Sequence, residues 1–181
     1  MGRRQSIDRG DLLDAAERVV ARDGAGQLTM DAVAAEAGVS KGGVLYAYAS
    51  KDALIDAMFN RVFSAFDQIA EASVAGLGDS PDSGVHGHVL ASRDADRLIM
   101  ERSIALIVNF IRSPQYRSGA SDYYQRVLGR LDLSSRAGRK ARLALLASEG
   151  ALMLRGFSLY PLSDADWQAI HADIVDLLLD A

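Results

Sequence analysis

Apolar residues recur at the three- and four-residue spacing of an amphipathic helix along most of the chain. The first such segment carries Leu12, Leu13, Ala16, Val19 and Val20. It ends at Gly24, a residue type that suits a helix C-cap. No segment alternates apolar and polar residues over six or more positions, so no strand is predicted. The sequence therefore predicts an all-α fold.

Two short helices follow the first and complete a predicted three-helix N-terminal unit. The earlier of the two has Thr29 as its N-cap, and the later one begins at Ser40. Gly38 lies between them, where the chain must reverse and a positive φ is favoured. Helix, tight turn and helix form the helix-turn-helix unit, in which the second helix enters the major groove of DNA.

A long helix and a larger helical body are predicted after this unit. The long helix begins at Ser50, and its apolar positions continue to Ala70. Residues 76–84 form a polar, glycine-rich loop. The next helix covers residues 98–111 before Pro114 stops it. Its apolar residues occupy nearly all faces, so we expect this helix to be central.

Two further long helices are predicted towards the C-terminus. One begins at Ser135 and ends near Phe157, and the other begins at Ser163, where acidic residues in the first turn suit the positive end of the helix dipole. The domain organisation that follows is a helix-turn-helix head at residues 1–51. A long helix joins this head to a helical body at residues 52–181.

Two features of the helix-turn-helix segment are hard to explain by stability alone. Gly42 and Gly43 lie in the first turn of the second helix, although a glycine costs about 1 kcal/mol relative to alanine inside a helix. Lys51 follows the cap of the long helix, where a cation opposes the helix dipole unless a phosphate binds there. Close helix packing and a solvated lysine would explain each feature singly. Together they favour contact with a DNA backbone.

Residues 28–51 resemble the DNA-binding domain of the TetR (tetracycline repressor) family of transcriptional regulators. The resemblance rests on Thr29, Val33-Ala34, Ala37-Gly38-Val39-Ser40-Lys41-Gly42-Gly43-Val44-Leu45-Tyr46 and Ser50-Lys51-Asp52-Ala53-Leu54. Two successive glycines, with the tyrosine one position later than usual, indicate a subtype of that family. Beyond roughly the first 55 residues only the helical architecture is similar. The resemblance implies a repressor that a small-molecule effector releases from a palindromic operator.

The resemblance also implies which residues contact double-stranded DNA. Thr29 and Lys51 contact phosphate, Met30 lies near the groove, and the residues that open the second helix face the bases or the nearby backbone. The implied set is Thr29, Met30, Ser40, Lys41, Gly42, Gly43, Tyr46 and Lys51. Tyr46 contacts either a phosphate or a base. Tyr48 is expected to pack between the third and fourth helices instead of touching DNA.

A pocket for a small hydrophobic effector in the body is a further implication of the resemblance. Large apolar residues of the body are its candidate walls, although core packing is the default role of each. They are Phe63, Phe66, Met100, Ile107, Phe110, Tyr123, Tyr124, Met153 and Phe157. Arg102, Asn109 and Glu149 are candidate polar anchors if they face inward.

The last two helices carry more apolar surface than a small body needs to bury against itself. We expect a two-fold, four-helix interface between two copies of the chain. Its predicted residues are Leu145, Ala151, Leu152, Leu159, Ile170, Ile174, Leu177 and Leu178. A homodimer would set two recognition helices roughly 34–36 Å apart, as a palindromic operator requires.

Composition limits the other classes of function. The 181 residues contain no cysteine, which excludes disulfides and a thiolate nucleophile and suits the reducing cytoplasm. No apolar run is long enough to span a bilayer, and no signal peptide is visible. His86 and His88 could be a metal pair, but no third ligand lies near them in the sequence. No metal, no other cofactor and no membrane partner is therefore predicted.

The main alternative is a helical ligand-binding or enzymatic protein whose N-terminal unit only packs. No G-x-S-x-G, Walker or dinucleotide motif supports an enzyme. The net charge of −4 at first opposes a nucleic-acid partner. However, residues 1–51 carry seven basic and seven acidic residues, so the excess acidity lies entirely in residues 52–181.

Overall fold

The computed structural model describes residues 8–75, 80–110 and 117–180, and within these ranges every regular element is helical. The α-helices are α1 Arg9–Asp23, α2 Met30–Ala37, α3 Lys41–Ala47, α4 Lys51–Val74, α5 Ser83–Asp94, α6 Arg97–Phe110, α7 Arg117–Leu128, α8 Arg136–Gly156 and α9 Asp164–Ile174. A 3₁₀ turn at Ala25–Gln27 follows α1, and a π-helical turn at Val175–Leu179 follows α9. The all-α prediction is confirmed. None of the described helices is long and apolar enough to cross a bilayer.

Packing divides the chain into two compact units. Unit 1 comprises Met1–Arg61 and Ala105–Gly119, and unit 2 comprises Val62–Ile104 and Ala120–Ala181. Helices α4 and α6 therefore each contribute residues to both units. The predicted domain boundary after residue 51 was placed by expected function, whereas the packing units divide α4 after Arg61. The domain boundary stays a prediction.

Local sequence explains the helix-turn-helix geometry of unit 1. The Thr29 hydroxyl oxygen accepts the N–H of Ala32 at 3.0 Å, and that of Ser40 accepts the N–H of Gly43 at 3.1 Å. Both predicted N-caps are confirmed. Gly38 has a φ of 68°, the left-handed conformation that strains residues with a Cβ. The turn thereby ends α2 and begins α3 after only three residues.

Apolar side chains from α1 to α4 form the core of unit 1. Its most deeply buried large residues, each at most 1% exposed, are Leu12, Val19, Leu28, Val33, Val44, Leu54, Ile55 and Met58. Full burial of one such side chain contributes about 1.5–3 kcal/mol. Helix α4 supplies three of the eight, so its first turns are an integral part of the N-terminal unit.

Ion pairs surround α1 with a polar layer. Glu36 of α2 bonds two arginines of α1, each at 2.7 Å. Arg61 of α4 pairs with Asp14 at 2.7 Å and also with Glu17. The arginines bound to Glu36 are more than half exposed, so solvent screens these pairs and each contributes little to stability. These carboxylates of α1 and α2 are thus neutralised by cations of the chain itself.

The turn between α1 and α2 is held by two side chains from later in the chain. Asn109 of α6 accepts the N–H of Ala25 through Oδ1 at 3.1 Å, and its Nδ2 donates to the Ala105 carbonyl at 2.8 Å. Lys51 Nζ lies 3.5 Å from the Ala25 carbonyl oxygen. The last turn of α6 is therefore a structural part of unit 1.

Unit 2 is organised around α5, α7, α8 and α9. Its buried cluster contains Val85, Val89, Tyr123, Val127, Ala141, Ala144, Leu145 and Ile174. Ser135 caps α8 by accepting the N–H of Gly138 at 2.9 Å. Ser163 and Asp166 form a capping box at the start of α9. Both predicted helix starts are confirmed.

Helix α5 differs from the predicted pattern, which has a loop to residue 84 and no separate helix after it. Ser83–Asp94 is helical, and its buried positions include the small or polar residues Gly87, His88 and Ser92. These residues weaken the apolar stripe, so the helical period is hard to see in the sequence. Packing stabilises the helix instead, because a Cβ on Gly87 would lie only 3.2 Å from Ala70 of α4.

Helix α6 is less central than its composition predicts. Leu106 and Phe110 are buried, but Leu98 and Val108 are 51% and 54% exposed. The apolar residues on several faces of α6 are therefore not all buried, so composition alone overstates how central this helix is. Residues 76–79 of the predicted loop and residues 111–116, which include the predicted stop at Pro114, lie outside the described residues.

Gly38→Ala tests the left-handed turn between α2 and α3. A methyl group at a φ of 68° strains the backbone, so we expect the free energy of unfolding to fall by about 1–2 kcal/mol. None of the described atoms lies within 4 Å of the added Cβ, so steric overlap does not contribute. Urea unfolding measures the change.

Gly42→Ala is the matched control, since Gly42 is helical and its φ is not positive. We expect its free energy of unfolding to stay the same or to rise by up to about 1 kcal/mol. Equal destabilisation by Gly38→Ala and Gly42→Ala would show that the positive φ of Gly38 is not the cause of the loss.

Candidate functional site

One face of α3 is exposed while the opposite face is buried. Val44 and Ala47 pack inward, whereas Lys41, Leu45 and Tyr46 are exposed. Tyr46 keeps 92% of its surface exposed, so its ring contributes almost nothing to the core. Leu45, at 39% exposed, shares this face and adds to the predicted set of contact residues. An aromatic and an aliphatic side chain presented together on one short helix are placed to meet a partner.

Thr29 and Ser40 combine helix capping with a hydroxyl hydrogen that can still be donated. Each hydroxyl oxygen accepts a backbone N–H of its own helix, which leaves the O–H free to donate. Both residues are exposed. A phosphate oxygen at either helix start can therefore accept a hydrogen bond from these side chains.

The two predicted lysines have different partners within the chain. Lys41 Nζ lies 2.8 Å from Asp31, and both side chains are more than half exposed. An exposed pair of this kind is worth about 0.2–1 kcal/mol, so a phosphate can replace the carboxylate at little cost. Lys51 is half-buried, with its Nζ directed at the Ala25 carbonyl. Met30 is half-buried as well.

Gly42 is not required for packing inside the chain. A Cβ built on it would meet only the Ser40 hydroxyl, at an ordinary contact distance of 3.9 Å. Close packing between helices therefore does not explain this glycine. Its bare backbone allows close approach from outside the chain. Gly43, next to it, is half-buried.

Tyr48 lies inside unit 1, as expected of a packing residue. It is 6% exposed, and its hydroxyl donates to the Arg9 carbonyl at 3.1 Å. The Arg9 guanidinium lies over the ring, 5.1 Å from its centroid, and bonds the Ala47 carbonyl. These contacts join the end of α3 to the start of α1.

Four of the predicted pocket residues meet in unit 2. Phe63 stacks on Tyr123 with ring centroids 5.6 Å apart. Phe66 meets the same ring edge to face at 6.3 Å, and Tyr124 does so at 5.3 Å. The four rings come from only two helices, α4 and α7.

A polar network runs through this group of rings. His88 Nδ1 lies 2.8 Å from the Tyr123 hydroxyl, and His88 Nε2 lies 3.1 Å from Glu149 Oε1. The Tyr124 hydroxyl donates to the same carboxylate oxygen at 2.7 Å. The His88 side chain is 4% exposed, whereas that of Glu149 is 20% exposed. We call the four aromatic residues, together with His88 and Glu149, the aromatic cluster.

Burial and hydrogen bonding set the charge states of the aromatic cluster. Burial by itself raises the pKa of a carboxyl group, but the hydrogen bond and the charge interaction with His88, together with the hydrogen bond from Tyr124, outweigh it and lower the pKa of Glu149. Burial also raises the pKa of the Tyr123 and Tyr124 hydroxyls. At neutral pH Glu149 is therefore a carboxylate, and both tyrosines are neutral.

The sequence singles out His88 only as half of a metal pair with His86. The two residues have separate partners, since His86 Nε2 lies 3.3 Å from Asp180 Oδ1. His88 shares a buried helical face with Val85 and Val89, a signal that is visible only once α5 is recognised as a helix. Within the described ranges, no three potential metal-ligating side chains are gathered.

The remaining predicted pocket residues are distributed over both units. Ile107 and Phe110 belong to unit 1, where Phe110 is buried. Met100 and Met153 are half-buried in unit 2, and Phe157, just after α8, is 39% exposed.

Of the three candidate polar anchors, Glu149 is the one that belongs to the aromatic cluster. Asn109 instead holds the turn at Ala25 in unit 1. Arg102 is half-buried on α6. Glu149 therefore lies beside the aromatic rings, whereas Asn109 fixes the turn before α2.

The predicted interface residues divide between the core of unit 2 and its surface. Leu145, Ala151 and Ile174 are buried inside the chain, so they offer almost no area to a second copy. Leu159 and Leu177 are 70% and 61% exposed. The other three, which are half-buried, are Leu152, Ile170 and Leu178.

The exposed apolar face of α8 lies beside the predicted one on the helix. Leu143, Leu146 and Leu154 are 53%, 57% and 43% exposed. Ala147 and Gly150 lie between them at helical spacing and are exposed too. Because α8 is apolar on more than one face, the sequence pattern does not show which face packs internally.

A serine and a histidine also meet in unit 2, but both are sealed from solvent. Ser148 Oγ lies 3.2 Å from His171 Nε2, and both residues are 0% exposed. His171 Nδ1 lies 2.8 Å from the Trp167 carbonyl. Burial lowers the pKa of His171, which favours its neutral ring. The pair joins α8 to α9 and is inaccessible to a substrate.

Protein-family models match both the N-terminal segment and the helical body of the chain. Residues 12–58 match the model described as bacterial regulatory proteins, tetR family. Residues 83–179 match the model described as tetracyclin repressor-like, C-terminal domain. The second match alone covers more than half of the chain. No match was found among curated proteins.

Solved structures with a similar fold include complexes of two proteins with small molecules. The multidrug binding protein EbrR with imidazole is 25% identical over 92% of this chain and 88% of its own, with a TM-score of 0.62. EbrR with malachite green is 23% identical over 94% and 97%, with a TM-score of 0.68. The SmeT–triclosan complex is 18% identical over 96% and 92%, with a TM-score of 0.68.

The family matches cover both the helix-turn-helix segment and the helical body, and they confirm the resemblance drawn from residues 28–51. The chain therefore belongs to the tetR family of bacterial regulatory proteins and is a DNA-binding transcriptional regulator.

Proposed function

We propose that the chain is a homodimeric repressor that leaves a palindromic operator when a small hydrophobic effector binds. The observation that carries this proposal is the exposed face of α3. Tyr46, at 92% exposed, shares that face with Lys41 and with the bare backbone of Gly42. The ring and the glycine have no packing role inside the chain, so contact with an external partner explains both.

In this proposal residues 1–51 bind DNA, while residues 52–181 bind the effector and dimerise. Thr29, Ser40 and Lys51 contact phosphates and so position the head. A cytoplasmic location, where the operator is accessible, agrees with the lack of cysteine.

Base contacts then come from the exposed face of α3. Lys41, Gly42 and Gly43 open the helix, and Tyr46 stands one turn further along it. Two successive glycines let the DNA backbone come close, and the tyrosine reaches the DNA from position 46. We infer that this combination defines a subtype within the family.

The proposed effector site is the aromatic cluster of unit 2. Its four rings provide apolar walls and Glu149 a single charged group, a composition typical of small-molecule pockets. EbrR and SmeT, which have the same fold, are named as complexes with malachite green and triclosan, and both compounds are aromatic. Release follows if the effector binds more tightly to a conformation with low operator affinity.

The proposed dimer interface is formed by the exposed apolar residues on and beyond α8. Leu146 and Leu154 supply the helical face, and Leu159 and Leu177 of the predicted set are exposed as well. Burial of these side chains against a second copy would remove a patch of apolar surface from water. Two copies of α8 and α9 would then form a four-helix arrangement.

Footprinting on the promoter beside the protein's own gene tests the proposed function. We expect a protected palindrome whose half-sites are roughly 34–36 Å apart. Tyr46→Ala tests the contact made by α3. This exposed side chain can be removed without loss of core packing, so we expect the fold to be retained and protection to weaken. If no palindrome is protected there or in a genomic selection, a helical ligand-binding or enzymatic protein with a merely packing N-terminal unit becomes the better account.

Lys51→Ala tests the phosphate contact at the start of α4. We expect weaker binding to all DNA sequences alike, with a log–log salt slope smaller by about one. Fluorescence anisotropy at several salt concentrations measures both quantities. Because Lys51 also faces the turn at Ala25, Asn109→Ala is the matched control, which removes the other contact of that turn without changing charge. An unchanged slope for Lys51→Ala would rule out the phosphate contact.

Gly42→Ala separates the stability of the head from its function. The position is open and helical, so the fold should be retained. We nevertheless expect operator affinity to fall by about tenfold or more, since the methyl group holds the DNA backbone away from α3. Gly26→Ala, also in open space but in the 3₁₀ turn, should leave affinity unchanged. Unchanged affinity of Gly42→Ala would show that DNA does not approach there.

A further inference from the structure

Helix α3 exposes large apolar side chains in a part of the molecule that otherwise buries them. Among the described residues 8–51, Leu45 and Tyr46 are the only large apolar residues that are exposed. Val44 and Ala47, on the other side of the same short helix, are buried. The exposure of Leu45 therefore belongs to one face of α3 and does not result from loose packing of unit 1.

Leu45 differs from the other exposed side chains of α3 because it has no hydrogen-bonding group. Lys41 ends in an ammonium group and Tyr46 in a hydroxyl, and either can bond a phosphate or the edge of a base. A leucine contributes to a complex only by burying apolar area. If it covered a donor or acceptor of a base, that group would lose its partner at a cost in free energy. Leu45 therefore requires an apolar group on its partner.

The turn of α3 before Leu45 leaves this side chain open to approach. Residues three apart are neighbours on a helix surface, and Leu45 follows Gly42 by three. Of the described atoms, only the Ser40 hydroxyl oxygen lies within 4 Å of a Cβ built on Gly42. The glycine therefore leaves space through which the edge of a base pair can reach the leucine.

The major groove of B-DNA offers one apolar group, which is the C5 methyl group of thymine. The other groups that base pairs present there are hydrogen-bond donors and acceptors. The groove is about 12 Å wide and admits the second helix of a helix-turn-helix unit. An exposed leucine on that helix is thus matched to thymine and mismatched to the amino group of cytosine.

We propose that Leu45 is a specificity-determining residue that contacts the C5 methyl group of a thymine in each operator half-site. The contact removes the leucine and the methyl group from water together, and this burial is the source of the preference. Phosphate contacts by Thr29 and Lys51 position the head but carry no such information. The inference rests on the proposed contact between α3 and the major groove, and it adds the identity of one base.

DNA duplexes that differ by single methyl groups test this contact. A selection from random duplexes with the full chain supplies the half-site, and each of its thymines is then replaced singly by uracil, which lacks only the C5 methyl group. We expect one position in each half-site at which the replacement raises the Kd about fourfold, as loss of one buried methyl group predicts. Fluorescence anisotropy measures the Kd.

Cytosine and 5-methylcytosine at the same position provide an independent comparison. These two bases also differ only by a C5 methyl group. We expect the methylated base to lower the Kd about fourfold relative to cytosine, although both bases bind more weakly than thymine. A change in DNA flexibility caused by uracil alone would not reproduce this second preference.

Leu45→Ala assigns the preference to its side chain. We expect this variant to bind each methylated and unmethylated pair with equal Kd, because the apolar partner of the methyl group is gone. Tyr46→Ala is the matched control, since it removes the other large exposed side chain of α3. Its affinity should fall for all duplexes, but the fourfold preference should remain. Circular dichroism establishes that both variants are folded.

The outcomes separate this inference from the proposed function. If the selection yields a palindrome, but uracil is tolerated at every thymine or Leu45→Ala keeps the preference, the regulator stands and the leucine contact is wrong. A palindrome without thymine has the same meaning. A selection without any preferred sequence overturns both. A methyl preference that is present in the wild type and in Tyr46→Ala, but lost in Leu45→Ala, supports the proposal.

Discussion

Helix α4 supplies side chains to the cores of both units of the molecule. Its first turns bury Leu54 and Met58 in unit 1, and its later turns place Phe63 and Phe66 against rings of unit 2. Apolar residues recur along the whole length of the helix, so one element contributes to both cores. The DNA-binding head and the aromatic cluster therefore depend on the same element.

Buried polar groups in unit 2 differ in their exposure to solvent. Ser148 and His171 bond each other at 0% exposure, and the pair joins two helices without access to solvent. Glu149 is also satisfied by partners, but its side chain remains 20% exposed among aromatic rings. A closed polar pair adds specificity to packing, whereas a charged group that is partly open can recognise a ligand.

Features that depend on neighbouring residues could be predicted, and those that depend on packing could not. The caps at Thr29, Ser40 and Ser163 act on N–H groups three residues away, so residue type and position suffice. Helix α5 was missed because its buried face carries Gly87 and His88 in place of large apolar residues. Its stability comes from close approach to α4, which no local pattern encodes.

The sequence by itself determined the all-α class, the helix-turn-helix segment and the family. Apolar period, N-caps and the left-handed glycine at position 38 are all properties of adjacent residues. Only the tertiary structure decided which face of α8 is buried, that Asn109 holds the turn before α2, and that His88 and Glu149 meet among aromatic rings. These are contacts between residues far apart in the chain. A helical period identifies which residues share a face, but it does not identify the residues that this face packs against.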